Sequence, residues 1–231
     1  MKLLSRVSSI GRFVFPRKDS FQNNNEQIAA QFINALFKEF CTLCHKYINN
    51  PGAIDSPYEY SERQLDTCLM PALWKICNGY VMAEQQVTRH IRGNAINSSG
   101  RIDYWCYYKR CTFLIEVKHS KWRGSLTKDA KHRWDVLTNY QLKTFVKSEI
   151  RNGLTMGDLC IPIGLHFLSS KNINENQKDE LEDMYEAHLQ LRPSRNAPNY
   201  CCSYEPNIKQ DGKLLIEKRI AIIALINKAI S

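Results

Sequence analysis

The sequence predicts an α/β fold, a central mixed β-sheet of about five strands flanked by helices, and three observations carry that expectation. Long stretches with apolar residues at helical spacing alternate with shorter runs rich in aromatic and β-branched residues. The length of 231 residues is ample for one hydrophobic core. Two strand-like runs, Arg101 to Tyr107 and Cys111 to Lys118, are separated only by the short segment around Lys109-Arg110, the pattern of a β-hairpin.

Residues 1–25 mix basic, polar and isolated apolar side chains and end in Asn23-Asn24-Asn25, which reads as a flexible basic N-terminal arm. Residues 26–231 read as a single domain with its core over 61–170. From Glu26 to Tyr47 the residues Ile28, Phe32, Leu36, Phe40, Leu43 and Tyr47 recur at helical spacing, so a long helix packs one face until Asn49-Asn50-Pro51-Gly52 breaks it. A second helix starts near Ser61, a suitable N-cap, carries Leu65, Leu69, Leu73 and Ile76, and ends at Asn78-Gly79. Pro71 is expected to kink or restart it. Tyr80 to Ile91 is the first strand, and a turn-rich loop through Gly93 and Ser98-Ser99-Gly100 leads to the hairpin. A basic helix is expected from about Lys128 to Ile150, with Trp134, Leu137, Gln141 and Phe145 on one face. Ile161 to Ser169 reads as a strand, Asn174 to Leu191 as an acidic amphipathic helix and Ile220 to Ile226 as a final buried strand. Pro193, Pro198 and Pro206 mark the irregular link between the last two, with Cys201-Cys202 on a short edge strand.

The formal charge of +9 favours a polyanionic partner, nucleic acid first. No apolar run is long enough to span a bilayer. Arg6 and Arg12 interrupt the apolar residues at the N-terminus and no small-residue cleavage site follows, so a cytoplasmic location is expected. The nine cysteines are odd in number, and Cys68, Cys77, Cys106 and Cys160 sit inside apolar patterns, which fits reduced core thiols. Cys41-Thr42-Leu43-Cys44-His45 has the spacing of a haem attachment site, but it falls within a strongly amphipathic helix and haem attachment requires export. A zinc site there lacks a second Cys-x-x-Cys.

The hairpin carries the chemistry. With Tyr108 paired to Cys111 across a two-residue turn, Tyr104 falls opposite Ile115, Asp103 opposite Glu116 and Lys118 opposite Arg101. Side chains alternate along a strand, so Asp103, Glu116 and Lys118 share one face, with cross-strand partners roughly 4.5–5.5 Å apart at Cβ. Two facing carboxylates are destabilising unless a cation neutralises them, and a hard divalent ion with oxygen ligands is the usual answer. Lys-Arg lacks the Gly or Asn favoured in such a turn, although a four-residue loop keeps the same pairing parity. The alternative for these residues is a surface hairpin with an Arg101/Glu116 or Glu116/Lys118 ion pair.

This pattern resembles the PD-(D/E)XK nuclease superfamily, with its restriction-endonuclease-like fold, over roughly Ser61 to Ile150. The order helix, strand, Asp strand, Glu-x-Lys strand, basic helix is similar as well; Ile102 stands where the family has Pro before the Asp. The resemblance implies a Mg²⁺- or Mn²⁺-dependent endo- or exodeoxyribonuclease in which Asp103, Glu116, the Val117 carbonyl and Glu62 hold the metal and Lys118 assists catalysis. Glu62 is the choice for the acidic residue on the preceding helix, with Glu84 as runner-up. Gln141 is an amide on an apolar stripe: it is either a satisfied core residue or, as in RecB-like relatives, a site residue. Those relatives have Tyr four residues later, where Phe145 stands here.

After Lys118, the residues Lys121, Arg123, Lys128, Lys131 and Arg133 come with Trp122, Trp134 and a single acid, Asp129. They read as a phosphate-contacting edge, or as a solvated face around two core tryptophans. No zinc ribbon or helix-turn-helix signature is visible, so cutting is expected to be structure-guided or weakly sequence-specific. DNA is the expected partner, with room for a targeting protein and for a homodimer. A non-catalytic DNA-binding or scaffold member of the same fold is the alternative, and an unrelated small-molecule- or protein-binding α/β domain is a third class.

Overall fold

The computed structural model describes residues 1–50, 56–59, 61–90, 97–145, 150, 153, 155–156, 159–171, 177–191, 197–210, 213–215 and 218–230. Pro51, Gly52, Ile91, Gly93, Asn174 and Pro193 from the expectations above lie outside these residues. The fold is α/β, and its single mixed sheet has eight strands where about five were expected. They are β1 (Leu3–Ser8), β2 (Gly11–Pro16), β3 (Val81–His90), β4 (Asn97–Tyr108), β5 (Cys111–Trp122), β6 (Leu159–Lys171), β7 (Tyr200–Pro206) and β10 (Lys218–Ile226). Their lateral order is β1-β2-β7-β10-β6-β5-β4-β3. Only the β5–β6 pair is parallel. The short strands β8 (Ile208–Gln210) and β9 (Lys213–Leu215) pair with each other apart from it.

Two layers of side chains cover the sheet. On one face lies α1 (Asn24–Ile48), whose Asn23 cap accepts the Glu26 N–H and whose Phe32 ring stacks on Phe113 of β5 at 4.2 Å. Beside it lies α2 (Glu62–Ile76), opened by a reciprocal cap in which Gln64 Oε1 accepts the Ser61 N–H at 2.9 Å. Pro71 sits on the exposed side of α2 without breaking it. The opposite face carries α3 (Lys128–Asp135), a π-helical turn over Val136–Gln141, and α4 (Gln177–Leu189), packed on Trp105, Leu114, Trp122 and Leu168. All nine cysteines are buried free thiols.

Three expectations are corrected. Residues 1–25 are no free arm: β1 and β2 form a hairpin, and β2 pairs with β7 from Gly11↔Pro206 to Val14↔Ser203, burying Phe13 and Phe15. Cys201-Cys202 therefore lies on an interior strand, between β2 and β10. The basic helix stops far short of Ile150. Leu142 N–H donates to Leu137 O, both leucines press on Gly164 of β6, and Phe145 bridges Arg89 of β3. Gly164 has no side chain because a Cβ there would lie 2.8 Å from Leu142 Cδ1.

The hairpin register is the expected one, with Tyr108↔Cys111 and Tyr104↔Ile115. Its two-residue turn holds Lys109 at φ 46° and Arg110 at φ 63°, both left-handed. That conformation costs an L-residue about 1–2 kcal/mol, which Asn and Gly largely avoid. Replacing Lys109-Arg110 by Asn-Gly should therefore stabilise the chain by about 1–2 kcal/mol. The thermal midpoint should rise about 2–4 °C per kcal/mol for a protein of this size. An unchanged or lowered midpoint would show that the turn carries no such cost.

Candidate functional site

The backbone ladder between β4 and β5 ends at Tyr104↔Ile115, one residue before Asp103 and Glu116 would face each other. Side chains take over from there. Asp103 Oδ2 accepts the Val117 N–H at 2.7 Å, in place of a β4 carbonyl. Glu116 is fully buried, and its Oε1 accepts a hydrogen bond from Arg89 Nη2.

Arg89 belongs to β3 and reaches Glu116 across the whole width of β4. Gly100 makes the crossing feasible: a Cβ at that position would lie 2.5 Å from Arg89 Nε and 2.6 Å from its Cδ. The guanidinium also donates to Arg101 O at 2.5 Å, Gln141 O at 2.7 Å and Thr144 Oγ1 at 3.3 Å, and lies 5.0 Å from the Phe145 ring centroid. A cation with 13% of its side chain exposed thus keeps a near-complete set of acceptors. Nothing in the sequence pattern pointed to Arg89, because alternation reports which face a side chain takes and not how far it reaches sideways.

Lys118 donates to Glu62 Oε1 at 3.0 Å and to Val117 O at 2.8 Å. Glu62 is the first residue of α2, and Tyr104 donates to Asp66 one helical turn further on, so α2 is clamped to β4 beside the site. Glu84 holds the β3 position opposite Asp103 by register and adopts φ 54° in mid-strand. Left-handed backbone in a non-glycine strand residue stores roughly 1–3 kcal/mol and clusters at functional sites. Glu84 pairs with Arg101 at 3.3 Å, with both side chains largely exposed. Glu62 and Glu84 both act on Asp103, so neither acid is excluded as the third.

The charges explain the titration. Burial pushes the Asp103 carboxyl up; the Val117 N–H and Lys118 oppose this, while Glu62 and Glu84 add to it. Burial, then the Asp103 charge, pushes Glu116 up to about 8, against Arg89 and Lys118. Two carboxylate oxygens remain open. Glu116 Oε2 is buried without a hydrogen-bond partner, and Asp103 Oδ1 accepts no hydrogen bond among the described residues. They suit a hard cation that completes its shell with water, and the Val117 carbonyl retains a second lone pair. Among the described residues no group of three or more His, Cys, Asp or Glu stands close enough together to hold a metal.

Gln141 reaches the site through its backbone carbonyl, which holds Arg89; its side-chain Oε1 is buried without a partner. Lys121, Arg123, Lys128 and Lys131 are exposed, which a phosphate-contacting edge and a solvated face share. Arg133 is half-buried and spent on acids, 2.7 Å from Asp129 and 3.9 Å from Glu62. Trp122 and Trp134 are core residues and present no stacking surface. Behind Lys118, its β6 neighbour His166 joins Ser120 to His188, which donates to Met184 O at 2.7 Å; burial keeps both imidazoles neutral, and this chain of side chains is internal.

No protein-family model matches the chain, and no curated protein matches its sequence.

Two outcomes follow from the geometry. A carboxyl whose folded pKa lies above its unfolded value binds more protons when folded, so stability falls as pH rises between about 4.5 and about 8. Glu116→Gln should flatten that part of the stability–pH curve, measured as denaturant midpoints from pH 5 to 9; an equal slope in parent and variant would contradict the burial argument. Gly100→Ala should displace the Arg89 side chain while β4 still pairs. With Glu116 left without its cation, Gly100→Ala should lower the melting temperature as Arg89→Ala does; a parental melting temperature in Gly100→Ala would show that the Arg89 crossing does not need the gap at that position.

Proposed function

We propose that this chain is a metal-dependent nuclease that hydrolyses DNA phosphodiester bonds, a restriction-endonuclease-like protein with Asp103, Glu116 and Lys118 at its centre. The observation that carries this reading is the pair of open carboxylate oxygens, Asp103 Oδ1 and Glu116 Oε2, where the hairpin ladder parts beside an ammonium and a guanidinium. The succession α2, β3, β4, β5, α3 supports it, as does the strained backbone of Glu84, which by register lies opposite Asp103.

Asp103 and Glu116, with the Val117 carbonyl, would hold Mg²⁺ or Mn²⁺, which supplies Lewis-acid stabilisation of phosphate charge and a more acidic water. Lys118, fixed by Glu62 and the Val117 carbonyl, presents a compact positive charge that favours the phosphorane-like transition state over the ground state. Arg89 keeps Glu116 in one orientation. Lys121, Arg123, Lys128 and Lys131 offer exposed cations to the flanking phosphates.

One observation favours a second reading. Arg89 already supplies a positive charge to Glu116, and no third ligand side chain is gathered there among the described residues, as in a DNA-binding protein that keeps the fold without the chemistry.

Incubating the protein with supercoiled, linear, single-stranded and branched DNA, with Mg²⁺ or Mn²⁺ and with chelator, separates the two. Cleavage should require the metal and should vanish in Asp103→Ala and Glu116→Ala. In Lys118→Ala, turnover should fall by orders of magnitude while DNA affinity changes little. Metal-independent cleavage, or binding without cleavage of any substrate, would overturn the nuclease reading.

A further inference from the structure

A second cationic feature lies on the other side of the molecule, where the N-terminal hairpin overhangs α1. Strand β1 is the outer edge of the sheet, and Leu4 and Arg6 share a face with their partners Phe15 and Phe13. On α1 the residues Gln27, Gln31, Asn34 and Lys38 form one polar stripe at spacings of four, three and four, and this stripe forms the opposite wall. Between them is a cleft of about 470 Å³, and Arg17 and Lys18 close it. Four cations therefore line one concavity, and among the described residues none of the lining is acidic. Among the described residues none of the four is in an ion pair.

The walls between the cations are specific in character. Asn34 Oδ1 accepts the Tyr200 hydroxyl at 2.6 Å and Gln31 Oε1 accepts Lys109 Nζ at 3.4 Å, which leaves both NH₂ groups as donors. Leu4, Pro16 and the edges of Phe15 and Phe21 supply an apolar side, with Lys38 Nζ 5.4 Å from the Phe15 ring centroid. Guanidinium forks, ammonium groups and amide donors beside an apolar wall match an anionic phosphate carried on a flat, weakly polar base. Like charges gathered in a concavity repel one another, and a bound polyanion relieves that repulsion.

We propose that this cleft is a binding site for a nucleotide phosphate, presented either by a free nucleotide or by a short single-stranded segment of nucleic acid. It stands apart from the carboxylate site: from β2 to β5 there are four strand spacings, about 19 Å. Its test is therefore independent of cleavage.

Binding would be measured on the full chain in chelator. The probes are adenosine 5′-monophosphate and inorganic phosphate, by calorimetry, and fluorescein-labelled hexathymidylate, by anisotropy. The variants are Arg6→Ala/Lys38→Ala and Arg17→Ala/Lys18→Ala, all exposed positions, with the exposed pair Lys46→Ala/Lys228→Ala as the control and thermal melts to confirm folding. Each cleft variant should weaken binding of the base-bearing probes at least tenfold, and the control much less. For the oligonucleotide, the slope of log affinity against log salt should also fall by about 0.7 for each phosphate that the variant no longer neutralises. Saturable binding of the monophosphate identifies the free-nucleotide source; binding of the hexamer alone identifies the strand source. Failure of both to bind, parental affinity in the cleft variants, or inorganic phosphate binding as tightly as the nucleotide would overturn the proposal.

Discussion

A carboxylate buried in the middle of the sheet organises this molecule. Glu116 lies on the interior strand β5 and is fully buried, and burying its ionised form unpaired would cost several kcal/mol. The compensating cation comes from two strands away. For Arg89 to reach Glu116, β4 must lack a side chain at Gly100, and the remaining guanidinium protons must find acceptors. The chain after α3 provides them: the helix relaxes into a π-turn, presents Gln141 O and Thr144 Oγ1, and is stitched to β3 through Arg89↔Phe145 and His90 N–H to Thr144 O at 2.6 Å. The early end of that helix, the glycine and the arginine are thus linked consequences of burying one acid.

The same linkage marks what could and could not be read from the sequence. The two-residue turn between Tyr108 and Cys111 set the hairpin register through Tyr104↔Ile115, and a slip of one residue would turn Phe113 and Ile115 away from α1. Ser61 marked the start of α2 as an N-cap, and the structure adds Gln64, which completes the reciprocal cap. Long-range pairing left weaker traces. The β1–β2 hairpin is held by β7, nearly two hundred residues later in the chain, and its local trace is only the alternation around Phe13 and Phe15 after Gly11. The apolar stripe Trp134, Leu137, Gln141, Phe145 favoured a continuous helix. The competing demand of Arg89 for partners at 141 and 144 is invisible to periodicity. Trp122 and Trp134, flanked by lysines and arginines, illustrate the converse: Lys121, Arg123 and Lys131 are exposed while the rings fill the core.

The sequence argument that two facing carboxylates require a cation was sound in its physics and incomplete in its inventory. The protein itself contributes Arg89 and Lys118. When Glu62, Asp103 and Glu116 are all ionised, these three acids and two bases leave the site with one excess negative charge, which is one reason Glu116 holds its proton up to about 8. On the nuclease reading, a divalent cation held by Asp103 and Glu116 would reverse that excess to one positive charge, and a phosphodiester would bring it to neutrality. Metal and substrate would then favour one another by the charge balance of the site alone, with Arg89 unmoved on Glu116 Oε1. On that reading Arg89 would not make a metal redundant: its guanidinium satisfies one carboxylate oxygen of Glu116 and leaves the other buried and, among the described residues, without a hydrogen-bond partner, where a proton or a second cation would be stabilised.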